Sequence, residues 1–210
     1  MLMDALIIPA AFAAMCCLYL IYQRIKRDGR HGLKQQIGVK CAATGMAVLV
    51  ALIGCLKGGN AADWVLLAGL TACAIADGVL CVRFIPGGAL FAAGHILYMV
   101  SFCMMRSPQW RCGIVFLCLT GLAAAGLTRF RKQLGGHAVL FFCYAVVLSL
   151  MVALASVQTP LIIAGAVLFA VSDGMLACLL AGQKSVALDY ISLGLYYLGQ
   201  FLLGVSICFG

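Results

Sequence analysis

Glutamate is absent from this 210-residue sequence, and aspartate occurs only six times. Charged residues of both signs make up 10% of the chain against 65% hydrophobic, with a mean hydropathy of +1.14. That scarcity excludes a soluble domain, whose composition runs to roughly a quarter charged residues. No C-x-x-C pair occurs among the twelve cysteines, so a thiolate metal site or dithiol redox motif has no frame. Most of them (Cys16, Cys17, Cys41, Cys55, Cys73, Cys81, Cys118, Cys143, Cys178 and Cys208) fall inside apolar runs. There a free thiol acts as a small hydrophobe. No H-x-x-x-H spacing exists either: His31 and His137 lie in basic loops and are expected to be solvated, leaving His95 as the one histidine in an apolar run. Asp77, His95 and Asp173 suit zinc by ligand type, but no spacing supports it, and neither a metal nor a cofactor is expected.

What remains is an all-α, polytopic membrane protein forming one integral domain over residues 1–210. A helix needs about 20 apolar residues to cross a bilayer. Spans are expected at roughly 4–22, 37–56, 63–82, 88–105, 112–128, 138–156, 161–181 and 189–208, eight in all. Breaker residues punctuate the joints: Gly58-Gly59-Asn60, Pro86-Gly87-Gly88, Ser107-Pro108, Gly135-Gly136 and Thr159-Pro160. The first run is no secretory signal, because it carries Asp4, lacks a basic leader and is followed by its basic residues.

The net charge of +8 implies no nucleic acid here, since the basic residues gather in short loops. Odd-numbered loops hold ten: Arg24, Lys26, Arg27, Arg30, Lys34, Arg83, Arg129, Arg131, Lys132 and Lys184. Even-numbered loops hold three, Lys57, Arg106 and Arg111, while Lys40 lies just inside the second span. The excess puts the odd loops in the cytoplasm and both termini outside, in a multi-pass protein of the cell membrane.

Two aspartates sit deep in apolar runs with similar surroundings, Ala76-Asp77-Gly78-Val79-Leu80 and Ser172-Asp173-Gly174-Met175-Leu176. A carboxylate at such depth is costly and marks a site more often than a scaffold position. They belong to the third and seventh spans, which run in the same direction. Each is followed by a short loop and a span with a polar pair at i,i+3, His95-x-x-Tyr98 or Tyr197-x-x-Gln200. This pattern suggests a four-plus-four internal repeat in parallel orientation.

Asp77, Asp173, His95, Tyr98, Tyr144, Tyr197 and Gln200 fall in the inner to middle bilayer, with Lys40 about one turn inside. Polar groups in hydrocarbon need partners, and a shared pocket open to the cytoplasmic leaflet supplies them. Two coupled carboxyls, one protonated and one ionised, fit a general acid and a general base. Plainer roles compete: helix-to-helix bonds for the aspartates, His95 and Gln200, a belt position for Tyr98, Tyr196 and Tyr197, and snorkelling for Lys40.

The run Asp77…Phe91-x-x-Gly94-His95-x-x-Tyr98-x-x-x-Phe102, then Tyr144…Met151, Gly165-Ala166-x-x-Phe169-x-x-Ser172-Asp173 and Tyr196-Tyr197-x-x-Gln200 resembles the YhhN-type lysoplasmalogenase family. The likeness extends over roughly residues 37 to 204. It departs at Lys40-Cys41, where the family often has Lys-Pro, and at Ala76, where Gly often precedes the aspartate. The resemblance implies an eight-span enzyme that hydrolyses the vinyl ether bond of lysoplasmalogen, giving a fatty aldehyde and glycerophosphocholine or glycerophosphoethanolamine. It implies Asp77 and Asp173 as the acid and base, with the assignment between them open. Lys40, His95, Tyr98, Tyr144, Tyr197 and Gln200 are the expected substrate-binding residues, Lys40 through the lipid phosphate. The expected partners are a lysophospholipid substrate and membrane lipids. A transporter or lipid-flipping protein with a midplane acidic site is the competing reading.

Overall fold

Long apolar runs with unbonded backbone only at their ends fold as helices in a bilayer, since each peptide group finds its partner within the segment. The computed structural model describes residues 2–29 and 32–209. It contains α1 (Leu2–Asp28), α2 (Leu33–Leu56), α3 (Ala61–Val82), α4 (Phe84–Met105), α5 (Trp110–Leu134), α6 (Ala138–Ala155), α7 (Pro160–Leu180) and α8 (Val186–Ser206). Short 3-10 turns cover Gly135–His137 and Ile207–Phe209. All eight helices are long and apolar enough to cross a membrane, and no strand occurs among the described residues. Arg30 and His31 lie outside the described residues, as do the side chains of Asp4 and His137.

The helices outrun the expected spans where the chain leaves the apolar layer. Helix α1 continues to Asp28 and so includes Arg24, Lys26 and Arg27, while α5 carries Arg129, Arg131 and Lys132 in its last turns. A span is fixed by apolar length, but a helix continues while its residues tolerate it, and these basic residues do. Helix α2 starts at Leu33, ahead of the expected span, so Lys40 lies two turns into the helix. Pro86, read as a loop breaker, instead lies in the first turn of α4, where its missing N–H is not needed.

Local signals set several ends. Asn60 Oδ1 accepts from the backbone N–H groups of Ala62 and Asp63, while the Asp63 carboxylate accepts from Asn60 N–H, capping α3. Thr159-Pro160 opens α7, and Ser185 Oγ accepts from Leu188 N–H at the start of α8. Gly135, at φ 54°, closes α5 in a conformation that side chains resist.

Helices α3 and α4 form one tight pair and α7 and α8 another. Small residues make both possible. A Cβ on Gly69 would stand 3.1 Å from the Gly94 carbonyl oxygen and 2.6 Å from the Tyr98 ring. One on Gly165 would stand 2.9 Å from the Gly199 carbonyl oxygen. Gly69 and Gly165 each precede an aspartate, Asp77 or Asp173, by eight residues. Ser172 and Ser192 add a reciprocal clasp between α7 and α8, each hydroxyl donating to the other residue's carbonyl at 2.8 and 3.0 Å. The remaining neighbours are α1 on α2, α5 on α6, α2 on α3, α6 on α7, α8 on α2 and α4 on α6, with α1 and α3 also touching α8. These last two contacts have no comparable counterpart between α4 and α5 or α7 among the described residues, so the pairing does not establish the expected four-plus-four repeat. The core between them holds Leu66, Leu70, Phe102, Met151, Phe169 and Leu203, all sealed from solvent. Helix α5 is the least enclosed.

Candidate active site

Helices α2, α3 and α8 bring their polar residues onto Asp77. Lys40 and Thr44 are one turn apart on α2 and share a face. The Lys40 ammonium stands 3.0 Å from Asp77 Oδ1, and Thr44 Oγ1 donates to Oδ2 at 2.5 Å. From α8, the Tyr196 hydroxyl donates to the same Oδ2 at 2.7 Å. Asp77 is 1% exposed and Lys40 8%. An acceptor met by a cation and two hydroxyl donors has the surroundings of an ionised carboxylate.

Asp173 is held differently. On α7, it accepts from the Tyr144 hydroxyl of α6 at 2.5 Å, and that hydroxyl lies 3.0 Å from His95 Nε2 of α4. With Tyr144 donating to the carboxylate, His95 donates from Nε2 and its buried Nδ1 has no hydrogen-bond partner. No cation stands within ion-pair distance of Asp173 among the described residues. Asp77 and Lys40 are its charged electrostatic neighbours. Unlike Asp77, Asp173 is only half-buried, so it offers accessible surface.

Both aspartates line one cavity of about 800 Å³. At the end of the bundle where α1 finishes and α8 begins, its wall carries Lys26 and Asp189. Deeper in, it meets Tyr22, Lys40, Asp77, Tyr196, Asp173 and Tyr144. From there an apolar arm lined by Ile96, Leu119, Ala123, Leu148 and Val152 extends between α4, α5 and α6. Val152 lies eight residues beyond Tyr144 on α6, about 12 Å further along the axis. The cavity is therefore amphipathic. Polar residues of α1, α2, α3 and α8 line one side. Apolar residues of α4, α5 and α6 line the other, including Phe84, Phe130 and Phe141 at the same end as Lys26 and Asp189.

The remaining expected residues form a layer behind the cavity wall. His95 reaches Asp173 only through Tyr144, packed edge-on to Phe169 at a ring separation of 4.6 Å. The Tyr98 hydroxyl donates to Gln200 Oε1 at 2.7 Å, joining α4 to α8. Tyr197 bonds the Lys40 carbonyl at 3.5 Å. None of these four lines the cavity.

Sequence reasoning gave no site role to Thr44, Tyr196, Lys26 or Asp189. The first could have been found from its i,i+4 spacing to Lys40, and the second from its i,i+4 spacing to Ser192, both of which share helix faces. Helices α3 and α7 pass both aspartates without a break. No group of three or more His, Cys or Asp side chains converges as a metal centre among the described residues.

No curated protein and no solved structure matches the chain. The profile of the YhhN family matches residues 35–207, which takes in the whole of α3, α4, α5, α6, α7 and α8 and nearly all of α2. This eight-helix membrane protein belongs to the YhhN family.

Proposed function

We propose that the protein is a lysoplasmalogenase, a membrane hydrolase that cleaves the vinyl ether bond of a 1-alkenyl lysophospholipid. One observation carries the reading: two aspartates in unlike surroundings, one against an ammonium and two hydroxyls and the other against a single tyrosine hydroxyl, line the same amphipathic cavity. Lipid-like dimensions support it, since the apolar arm suits an alkenyl chain and the polar side a phosphorylated head.

Vinyl ether hydrolysis starts with a proton delivered to the alkene carbon remote from oxygen. Asp173 is the proton donor in this scheme, because it is accessible and lacks a cation to hold it ionised. Protonation leaves an oxocarbenium ion, and the Asp77 carboxylate, kept charged by Lys40, supplies the opposing negative charge. Water adds to the cationic carbon and gives up a proton to a carboxylate, and the hemiacetal collapses to a fatty aldehyde and the glycerophospho-base. Acid and base thus alternate much as in glycoside hydrolysis. Tyr144 orients Asp173, with His95 fixing Tyr144, while Tyr196 and Thr44 orient Asp77. Tyr98, Gln200 and Tyr197 act from behind the wall, holding α4, α8 and α2 in register.

The distribution of basic residues further supports a cell-membrane protein with both termini outside and the cavity mouth facing the cytoplasm. The test is incubation of purified protein with an alkenyl lysophospholipid and with its acyl analogue. Fatty aldehyde from the alkenyl lipid alone is expected. Lipid or ion movement in liposomes without any aldehyde would favour the transporter reading instead.

A further inference from the structure

The mouth of the cavity carries one fixed pair of opposite charges. Lys26, near the end of α1, holds Nζ 2.8 Å from both carboxylate oxygens of Asp189, in the first turn of α8. Their side chains remain 42% and 34% exposed, and both line the cavity. An exposed pair of this kind contributes little to stability.

The pair is continuous with the candidate site. Asp189, Ser192, Leu193 and Tyr196 all line the cavity from α8 at i, i+3, i+4 and i+7, one helix face. Tyr22 and Lys26 do the same from α1. Asp189 lies seven residues before Tyr196, hence about 10 Å along the axis from the hydroxyl layer that bonds Asp77. That is comparable to the extended reach of a phosphoethanolamine head from the glycerol ether oxygen to its amine. Beside the pair, the Arg27 guanidinium lies 4.5 Å from the centre of the Tyr190 ring, and Tyr19 donates to the Tyr190 carbonyl. These contacts brace the α1–α8 mouth from the side, leaving Lys26 and Asp189 as the charges that face inward.

Resting on the lysoplasmalogenase reading, we propose that Lys26 and Asp189 are specificity residues that select a zwitterionic phospho-amine head. The lipid inserts between the two charges, its phosphate pairing with Lys26 and its ammonium with Asp189. One ion pair is thereby exchanged for two, and no charge is left without a partner. A head ending in bare phosphate would leave Asp189 facing an anion, and a headless glycerol would have to compete with the intact pair. Lys40, already paired with Asp77, is not the phosphate contact in this arrangement.

Binding of saturated 1-alkyl ether lipids tests this, because they lack the vinyl ether and are not turned over. Tritiated lipids carrying phosphoethanolamine, phosphate or no head would be titrated onto the full-length protein in detergent. Wild type should bind the phosphoethanolamine lipid about tenfold more tightly than the other two. Asp189→Asn should abolish the advantage of phosphoethanolamine over phosphate, and Lys26→Gln should weaken both phosphate-bearing lipids but not the headless one. Asp189→Glu and Lys26→Arg should restore most of the wild-type ranking. An unchanged ranking in the neutral variants, or equal losses for all three lipids, would make the pair a scaffold contact and overturn the proposal. A wild type that keeps this ranking but releases no aldehyde from alkenyl lipid would sink the hydrolase reading and leave the head-selecting pair standing.

Discussion

Removing the Lys40 ammonium while keeping its bulk, as in Lys40→Met, isolates the ion pair that the site is built around. The charges are 3.0 Å apart and Asp77 is 1% exposed. At that distance and an effective dielectric of about 20, the gross attraction is about 5 kcal/mol. Loss of one partner leaves a buried carboxylate with only the Thr44 and Tyr196 hydroxyls, and breaking such a pair typically costs about 3–5 kcal/mol. Removing both charges, with Asp77→Asn added, leaves no uncompensated ion. The double variant should therefore recover much of that loss, with a coupling of about 2 kcal/mol or more between the sites. Reversible unfolding in mixed detergent, followed by helical signal for the four proteins of the cycle, measures it. Strictly additive losses would refute the claim that Lys40 holds Asp77 ionised, and with it the opposed roles given to the two aspartates.

Other consequences follow from the same geometry. Asp77→Asn and Asp173→Asn should each reduce aldehyde release by about 10²-fold or more, because one needs its charge and the other its proton. The double variant should be little worse than the poorer single, as groups acting together are not additive. Gly199→Ala places a methyl 2.8 Å from the Gly165 carbonyl oxygen, so unfolding midpoints should reveal a loss of about 1–3 kcal/mol, whereas alanine at open Gly121 should cost well under that. Reporter fusions near Lys184 and near Lys57 should report cytoplasmic and external positions respectively, and the reverse result would turn the cavity mouth outward.

The number and order of the helices were legible because apolar length and breaker residues are local properties. The Asp77 and Asp173 words stood out for the same reason: a carboxylate in an apolar run is conspicuous without any partner. Which residues meet them was not legible, because pairing joins positions far apart in sequence. Lys40 was expected to meet the lipid phosphate, yet it stands against Asp77 on the neighbouring helix. Tyr197 was preferred to Tyr196 for its i,i+3 spacing to Gln200, although Tyr196 is the one that reaches Asp77. One residue corresponds to a rotation of about 100° on a helix, enough to move a hydroxyl from the site to the layer behind it. His95 and Tyr144 were both singled out, but their link through one hydroxyl to Asp173 depends on the packing of α4, α6 and α7.

The most direct measurement is the isotopic content of the aldehyde released from an alkenyl lysophospholipid by purified protein in D2O, with products reduced in place. Carbon protonation predicts a fatty aldehyde carrying one deuteron on the carbon next to the carbonyl, formed by wild type and nearly absent with Asp173→Asn. Absence of aldehyde from wild type, or aldehyde without that deuteron, would contradict the account.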